Sequence, residues 1–404
     1  MEQRTIRDLR DDEVRGKRAL VRVDFNVPLD DAGQVTDDTR IRAALPTVET
    51  LLGRGARVVL FSHLGRPKGA PDARYSLRPV AERLRNLLPG RAVRFVEATR
   101  GPAAVRASRA LADGEVLLLE NTRFEPGEEK NDADLARAFA DLGDLYVNDA
   151  FGAAHRAHAS TEGVARFRKP AVAGLLMERE LQYLSDTLDQ PERPFVAVLG
   201  GSKISGKIDV IEALLPQVDQ LLVGGAMACT FFRAMGLETG KSLVEADRVG
   251  MAADLLQRAG PKLVLPSDAL VAPTLDGEGA ASAHVVDRAA IPPTEAMYDI
   301  GPATGQAFAA LVRQARTVLW NGPMGVFETS PFDGGTLAVA RALAEATDAG
   351  ATTVIGGGDS AAAIAQAGLE ARVSHVSTGG GASLEFLEGK PLPGVEALER
   401  RERA

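Results

Sequence analysis

In its second half the chain carries the stretch Val196-Ala197-Val198-Leu199-Gly200-Gly201-Ser202-Lys203, an apolar run that ends in a polar, glycine-rich cluster. Apolar runs with similar polar or glycine-rich ends recur at residues 21–26, 58–66, 117–123, 145–149, 221–225, 318–323 and 354–359. Continuous apolar runs are typical of buried parallel strands, and open α/β sheets bind ligands at the carboxyl ends of their strands. The sequence therefore predicts two ligand-binding edges, one in each half of the chain.

Helical patterns separate the predicted strands. Segments with an apolar period near 3.6 lie at residues 40–54, 77–88, 132–141, 208–218 and 335–347. Alternating strands and helices indicate parallel sheets with helices on both faces, which is an α/β fold. Residues 174–184 form one amphipathic pattern, closed by Pro191 and Pro194, and this segment is predicted to be the helix that connects two domains.

Length and composition indicate the number of domains, the partners and the location of the protein. A chain of 404 residues with 45% hydrophobic content suffices for two packed domains. We expect domains at residues 1–172 and 191–388, a connecting helix over 173–190, and a tail over 389–404 that returns to the first domain. The net charge of -8 argues against nucleic acid or an anionic membrane as a partner. A single cysteine, Cys229, and a start without an apolar signal region predict a cytoplasmic protein.

The first predicted edge is rich in arginine. The strand ends and the first following helix supply Asp24, Asn26, Arg40, His63, Arg66, Arg123 and Arg156. Several arginines that face one edge favour a small polyanion, because guanidinium groups bind carboxylate or phosphate with two hydrogen bonds. The alternative is that these arginines are ordinary solvated surface residues.

The second predicted edge is rich in glycine, with clusters at residues 200–201, 224–225, 356–358 and 379–381. Glycine lets backbone amides approach phosphates, and the last two clusters lead into predicted helix N-termini, which favours a nucleotide. Lys203 and Lys207, interpreted as one turn apart at the start of a helix, would place two charges beside a phosphate. The alternatives are that the glycines only end strands tightly and that the lysines are solvated.

Two known motifs are matched incompletely. Residues 201–208 fit the P-loop pattern, but Ile208 stands where that loop needs a hydroxyl for magnesium. Residues 356–361 fit a dinucleotide fingerprint, yet no acidic residue follows about 20 positions later to bind a ribose, so a dehydrogenase is disfavoured. Asp359 is predicted either to cap a helix or to hold one magnesium ion, and the sequence offers no motif for zinc.

Five segments in order resemble the signatures of the phosphoglycerate kinase family. They are Arg22-Val23-Asp24-Phe25-Asn26-Val27-Pro28, Ser62-His63-Leu64-Gly65-Arg66-Pro67, Asn148-Asp149-Ala150-Phe151-Gly152, Trp320-Asn321-Gly322-Pro323-Met324-Gly325-Val326-Phe327-Glu328 and Ser377-Thr378-Gly379-Gly380-Gly381-Ala382-Ser383. The resemblance implies two Rossmann-like domains joined by a helix and hinge. It also implies reversible phosphoryl transfer between 1,3-bisphosphoglycerate and ADP, giving 3-phosphoglycerate and ATP, in a monomer that uses Mg²⁺.

The resemblance also implies a role for individual residues. For the triose site it implies Asp24, Phe25, Asn26, Arg40, His63, Leu64, Gly65, Arg66, Arg123 and Arg156. For the nucleotide it implies Gly201, Lys207, Gly225, Asn321, Pro323, Val326, Glu328, Gly357, Gly358, Asp359 and Ser360, with Asp359 on the metal. Arg40, Lys203 and Lys207 would be the catalytic cations, and Arg40 and Lys203 would flank the transferring phosphoryl group.

Three features, at four positions, depart from the family pattern. Ser360 stands where threonine is usual, Gly206 replaces a commonly polar residue, and Met297 with Tyr298 varies the wall expected to face adenine. Two other interpretations of the chain's function are a kinase that activates a different small acid, and a catalytically inactive binding protein that keeps the fold. The retention of Arg40, Lys203, Lys207 and Asp359 argues against the last of these.

Overall fold

The computed structural model describes residues 2–401. The chain divides into two compact units. The first contains the residues up to Gln182 together with those from Pro391 onward, and the second is Tyr183–Lys390. The division falls within the helix Leu175–Asp189, in the region where the sequence predicts a connecting helix.

The first unit is built on a six-stranded sheet in which every strand pair is parallel. Its strands are β1 (Arg18–Arg22), β2 (Arg57–Phe61), β3 (Val93–Phe95), β4 (Val116–Leu118), β5 (Leu145–Asn148) and β6 (Ala171–Ala173), in the spatial order β3-β4-β2-β1-β5-β6. The helices are α1 (Asp11–Val14), α2 (Thr39–Gly53), α3 (Arg78–Leu87), α4 (Gly101–Arg109), α5 (Ala133–Ala140) and α6 (Val164–Phe167). Helix α7 (Leu175–Asp189) begins in this unit and ends in the second.

The central strand β1 shows why the apolar runs form this sheet. Leu20 and Val21 point to opposite faces, and both are fully buried, so both faces of the sheet are covered. Helix α2 covers one face through Ile41, Val48 and Leu52, which recur at helical spacing and belong to the same core as β1 and β2.

The second unit contains a second six-stranded parallel sheet, in the order β15-β14-β13-β7-β8-β9. The strands of the unit are β7 (Phe195–Leu199), β8 (Gln220–Val223), β9 (Leu263–Val264), β10 (Asp268–Ala272), β11 (His284–Asp287), β12 (Ala296–Ile300), β13 (Thr317–Asn321), β14 (Thr352–Gly356) and β15 (His375–Val376). Its helices are α8 (Ile208–Leu214), α9 (Met227–Ala234), α10 (Val249–Ala259), α11 (Gly277–Ala281), α12 (Pro302–Gln314), α13 (Gly334–Asp348), α14 (Gly358–Gln366) and α15 (Gly381–Leu387).

The α/β fold class and the eight apolar strands are confirmed. The sequence analysis missed a three-stranded antiparallel sheet, in the order β11-β10-β12. One face of this sheet is only partly covered: in β10, Ala269 and Val271 are buried whereas Leu270 is half-exposed.

The tail of the chain packs within the first unit. Helix α16 (Pro393–Glu396) follows Leu392, and the carbonyl of Gly394 accepts a hydrogen bond from Asn148 Nδ2 at 2.9 Å. Glu399 forms an ion pair with Arg4 at 3.1 Å. Across residues 2–401, none of the helices combines the length and the apolar character needed to cross a membrane.

Candidate active site

The loops after β1 and β2 hold the first group of predicted residues together. Arg40, in the first turn of α2, donates to Asp24 Oδ2 at 2.6 Å, and Asp24 is almost fully buried. Asn26 Oδ1 accepts the Gly65 amide at 2.8 Å, which ties the β1 loop to the β2 loop. The amide of Phe25 donates to Ser62 Oγ at 2.8 Å, so this motif residue serves the same junction.

Arg123 joins this group from the end of β4. Its Nη1 donates to the Gly65 carbonyl at 2.6 Å, and its amide donates to Asn121 Oδ1 at 3.0 Å. Leu64 is held by the same asparagine, since its amide donates to Asn121 Oδ1 at 3.2 Å. Burial lowers the pKa of Arg123, but a guanidinium remains charged at any physiological pH. Nε of Arg123 is buried and makes no hydrogen bond within residues 2–401, although Glu129 lies 3.3 Å away.

Arg66 and Arg156 are the exposed members of the predicted set. Arg156 Nε donates to His155 Nε2 at 3.1 Å, and it also contributes to lowering the pKa of Arg123, which places it near that guanidinium. Arg66 follows Gly65 directly and forms no ion pair with any residue that the structure describes. Both cations are therefore available to an anion from solvent.

His63 lies inside this basic cluster and is neutral. Burial lowers its pKa well below the ordinary value, and the charges of Arg22, Arg123 and Arg40 lower it further. Burial and neighbouring arginines also lower the pKa of His158 to about 3. The structure thus gathers six of the seven predicted polar residues by direct contacts or by these electrostatic effects, and Arg66 by its place next to Gly65.

In the second unit, several glycines serve backbone packing. Gly225 has φ +71°, and a Cβ there would lie 2.5 Å from the Gly201 carbonyl oxygen. Gly201 in turn donates its amide to the Pro323 carbonyl at 3.0 Å. The loops after β7, β8 and β13 therefore cross in close contact, and tight packing explains Gly225. Open space surrounds the positions where a Cβ would stand on Gly201 and on Gly358.

Lys207 and Asn321 form the polar centre of this edge. Lys207 Nζ donates to Asn321 Oδ1, and burial lowers the pKa of Lys207 to about 8 while Asp359 and Glu388 oppose that shift. Asn321 is buried, and its Nδ2 is unpaired within residues 2–401. Gly357 approaches this amide closely, since a Cβ there would lie 3.1 Å from Nδ2. The arrangement leaves a buried donor and a nearby ammonium group at the glycine-rich edge.

Ser360 and Asp359 occupy the first turn of α14 and differ in exposure. Ser360 is buried, and its Oγ accepts the Gly322 amide at 2.6 Å, so the hydroxyl links this helix to the β13 loop. Asp359 is exposed and accepts no hydrogen bond from the described part of the chain. Gly357 is the N-cap residue, so the helix-cap alternative for Asp359 is wrong.

Other predicted nucleotide residues are less tightly connected. Glu328 and Lys203 are exposed, while Val326 is half-buried and donates its amide to the Tyr298 carbonyl at 2.9 Å. The expectation that Lys203 and Lys207 start a helix together is wrong for Lys203: α8 begins at Ile208 with Lys207 as its N-cap. Residues 205–207 instead form a turn, and Lys203 lies before it, outside any helix.

Met297 and Tyr298, which vary the wall expected to face adenine, lie in different environments. Met297 is buried, with its Sδ 3.7 Å from Cys229 Sγ, whereas Tyr298 is half-buried and packs against Phe332 with ring centroids 5.1 Å apart. Successive residues of a strand face opposite sides. Only Tyr298 therefore presents surface outside this core.

The sequence analysis missed Arg22 and His158 in the basic cluster and Glu388 beside Lys207. Arg22 had a readable signal, since an arginine within an apolar strand must be paired when it is buried. Glu388 had none, because it approaches Lys207 only through the packing of α15 near α8.

The chain has two sheets of parallel strands, one with arginines at its carboxyl edge and the other with glycine-rich loops and lysines. This combination defines an enzyme of the phosphotransferase class. The family model for phosphoglycerate kinase matches residues 7–390. The chain therefore belongs to the phosphoglycerate kinase family. Its activity is reversible phosphoryl transfer between 1,3-bisphosphoglycerate and ADP, giving 3-phosphoglycerate and ATP, a step of glycolysis.

Relatives and solved structures agree over the whole length. The chain is 59% identical to the phosphoglycerate kinase of Chloroflexus aurantiacus, with 100% of both sequences covered. It is 55% identical to that of Chlorobium luteolum, covering 98% of this chain and 100% of the relative. The structure of phosphoglycerate kinase from Coxiella burnetii is similar with a TM-score of 0.86 at 41% identity, covering 98% of each chain. That from Pyrococcus horikoshii has a TM-score of 0.84 at 33% identity, again over 98% of each chain.

Proposed function

We propose that the basic cluster of the first unit is the site for 3-phosphoglycerate and its 1,3-bisphosphate. The observation that carries this proposal is the excess of cationic over anionic groups at the carboxyl edge of the first sheet. Within residues 2–401, Arg40 is the only one of the four predicted arginines with a buried carboxylate partner, Asp24, while Arg66 and Arg156 are exposed. Arginines in such numbers suit a ligand with both a phosphate and a carboxylate group.

The glycine-rich edge of the second unit is the proposed site for ADP or ATP. Lys207 and the unpaired Asn321 Nδ2 are the groups that would meet phosphate oxygens, and the open faces of Gly201 and Gly358 leave room for them. Pro323, Val326, Gly225 and Glu328 would complete the nucleotide site, as the family resemblance implies.

Asp359 is the proposed protein ligand of Mg²⁺. Within residues 2–401 no group of three or more His, Cys, Asp or Glu side chains could hold a metal by itself. One exposed carboxylate nevertheless fits Mg²⁺, because this ion typically takes one or two carboxylates beside water and substrate phosphates. The ion, when bound, neutralises charge on the nucleotide phosphates.

The chemistry requires positioning and charge neutralisation. A carboxylate oxygen of 3-phosphoglycerate attacks the γ-phosphorus of ATP, the bond to the β–γ bridging oxygen breaks, and ADP leaves. The attacking group is already ionised, so no general base is needed. Arg40 would neutralise charge on the triose side, and Lys203 and Lys207 on the nucleotide side. A monomeric state and a cytoplasmic location stay predictions.

The test is ATP consumption with 3-phosphoglycerate and magnesium, coupled to a dehydrogenase that removes 1,3-bisphosphoglycerate. Arg40→Ala and Lys203→Ala should each lower kcat by about 10²-fold or more, with smaller effects on substrate binding. Arg42→Ala and Lys241→Ala are matched controls, because both side chains are exposed. Arg42 lies on the same helix as Arg40 and pairs with Asp38, the N-cap residue of that helix. An unchanged kcat in either test variant would remove that residue from the catalytic set.

A further inference from the structure

Arg22 is a buried cation of the basic cluster that has no role assigned so far. It lies at the end of β1, is 1% exposed, and distributes its guanidinium among three partners. Nε donates to Ser160 Oγ at 2.7 Å, Nη1 donates to the Val23 carbonyl at 2.5 Å, and Nη2 lies 3.2 Å from His63 Nδ1. Because a guanidinium has donors and no acceptor, Nδ1 of His63 must accept this bond. The proton of the neutral imidazole is then on Nε2.

Asp24 would favour the opposite tautomer. Its Oδ1 lies 3.9 Å from the same His63 Nδ1, which is too long for a hydrogen bond but close enough to receive one after a small shift. The position of Arg22 therefore decides which nitrogen of His63 carries the proton. The other charged or titratable groups that act on His63 are Arg123, Arg40 and His158, and none of them carries a negative charge.

Ser160 and Glu128 hold Arg22 in this position. Ser160 lies in a single π-helical turn, Ala159–Gly163, and Glu128 is fully buried beside it. Glu128 Oε2 accepts the Ser160 amide at 3.0 Å, and Oε1 accepts the Ser160 hydroxyl proton. With its proton engaged there, the Ser160 oxygen has its lone pairs free to accept from Arg22 Nε.

Further hydrogen bonds fix this turn. The Glu128 carbonyl accepts the Ala159 amide at 2.9 Å, and Tyr146 Oη donates to the Ser160 carbonyl at 3.1 Å. Burial raises the pKa of Glu128, and Arg22 together with the hydrogen bonds from Ser160 opposes that shift. Such a turn, rare in proteins and frequent at functional sites, is thus tied to the core at Ala159 and Ser160.

We propose that Glu128 and Ser160 are positioning residues that act through Arg22 to hold His63 as the neutral Nε2–H tautomer, so that His63 donates a hydrogen bond to an anionic oxygen of the triose substrate. The proposal rests on the proposed triose site. Within residues 2–401 the His63 Nε2 atom makes no hydrogen bond, which leaves it open to a ligand. His63 then recognises the substrate as a donor whose charge does not change near neutral pH.

The tautomer can be observed without any activity. The full chain, labelled with ¹⁵N-histidine, contains five histidines, and the His63 signal is identified by its loss in His63→Gln. In long-range ¹H–¹⁵N spectra of the unaltered chain, Nδ1 should have the shift of an unprotonated nitrogen and Nε2 that of a protonated one, from about pH 6 to about pH 9. A protonated Nδ1 over this range would overturn the proposal.

The positioning role is tested by Ser160→Ala, which removes the acceptor for Arg22 Nε. His63 should then become a mixture of tautomers or take up a second proton. Ser108→Ala is the matched control, because Ser108 is a buried serine whose Oγ accepts from Arg18 Nη1 at 3.4 Å, apart from the site residues. Ser160→Cys keeps the volume with a weak acceptor and replaces Ser160→Ala if thermal unfolding shows that the alanine variant does not fold.

Kinetics provide the second readout. Ser160→Ala should raise KM for 3-phosphoglycerate by about fivefold, the factor that one ordinary hydrogen bond contributes, with little change in kcat. An unchanged tautomer in the Ser160 variants, or an equal rise in KM in Ser108→Ala, would overturn the positioning role. Failure of the unaltered chain to turn over 3-phosphoglycerate would instead refute the proposed triose site, and the spectra would still decide the tautomer.

Discussion

Asp299 should make the second unit less stable as the pH rises. This carboxyl group lies in β12, is 1% exposed, and accepts the amides of Ile300 at 2.8 Å and Gly335 at 2.7 Å. Burial raises its pKa from 3.8 to about 7 in spite of these hydrogen bonds. The folded state therefore binds a proton more tightly than the unfolded state does.

Proton linkage gives the sign and the size of the change in the free energy of unfolding with pH. Between the unfolded and folded pKa values the folded state carries more protons, so the free energy of unfolding falls as the pH rises through this range. A shift from 3.8 to about 7 corresponds to about 4 kcal/mol at 1.36 kcal/mol per pKa unit, as an order of magnitude. About 2.5 kcal/mol of this loss falls between pH 5 and pH 8.

The assay compares Asp299→Asn with the unaltered chain by urea unfolding at several pH values. Trp320 is the only tryptophan and is fully buried in β13, so its fluorescence reports the unit that contains Asp299. Asparagine loses one acceptor, which shifts the stability by a constant amount, but it does not titrate. The variant should therefore gain about 2.5 kcal/mol relative to the unaltered chain between pH 5 and pH 8.

Asp254→Asn is the control for that experiment, because Asp254 is an exposed residue of α10 in the same unit. The free energy of unfolding of this variant should change with pH in the same way as that of the unaltered chain. A stability difference between Asp299→Asn and the unaltered chain that stays constant from pH 5 to pH 8 would refute the reasoning.

Three further outcomes are expected in the second unit. Gly225→Ala should lower the free energy of unfolding by about 3 kcal/mol or more in urea followed by Trp320 fluorescence, because the residue has φ +71° and its Cβ would meet the Gly201 carbonyl. Gly236→Ala, with φ +79° and open space around it, should lose only about 1 kcal/mol, and equal losses would contradict the packing argument. The kcat/KM for ATP should fall above about pH 8, where Lys207 loses its charge, and Lys207→Arg should abolish this fall; a fall that persists in the arginine variant would assign it to another group. Asp359→Asn should raise the magnesium concentration needed for half-maximal activity by about tenfold, measured by magnesium titration at fixed ATP, and an unchanged requirement would remove the metal role.

Much of the fold could be predicted from local patterns. The eight apolar runs became strands of the two parallel sheets, because a strand buried on both faces must be apolar at successive positions. The antiparallel sheet escaped prediction for the converse reason: β11 is mostly exposed, so its sequence carries little hydrophobic pattern.

The candidate site, like the fold, could be predicted only in part from the sequence. The sequence identified residues such as Arg40 and Lys207 by their place after apolar runs and by a family resemblance. It did not reveal that Lys207 is desolvated against Asn321, because these residues are 114 positions apart and meet only when β13 folds beside β7.

The sequence by itself determined the two parallel sheets, the residue types at their carboxyl edges and the family. Only the tertiary structure decided the protonation of His63, because Arg22 and Ser160 are 138 residues apart and their hydrogen bond exists only in the folded unit. A side chain's charge and tautomer depend on burial and on the atoms around it, and a linear pattern contains neither. Hydrophobic periodicity is local, whereas the electrostatics of a site arise from residues that the fold brings together.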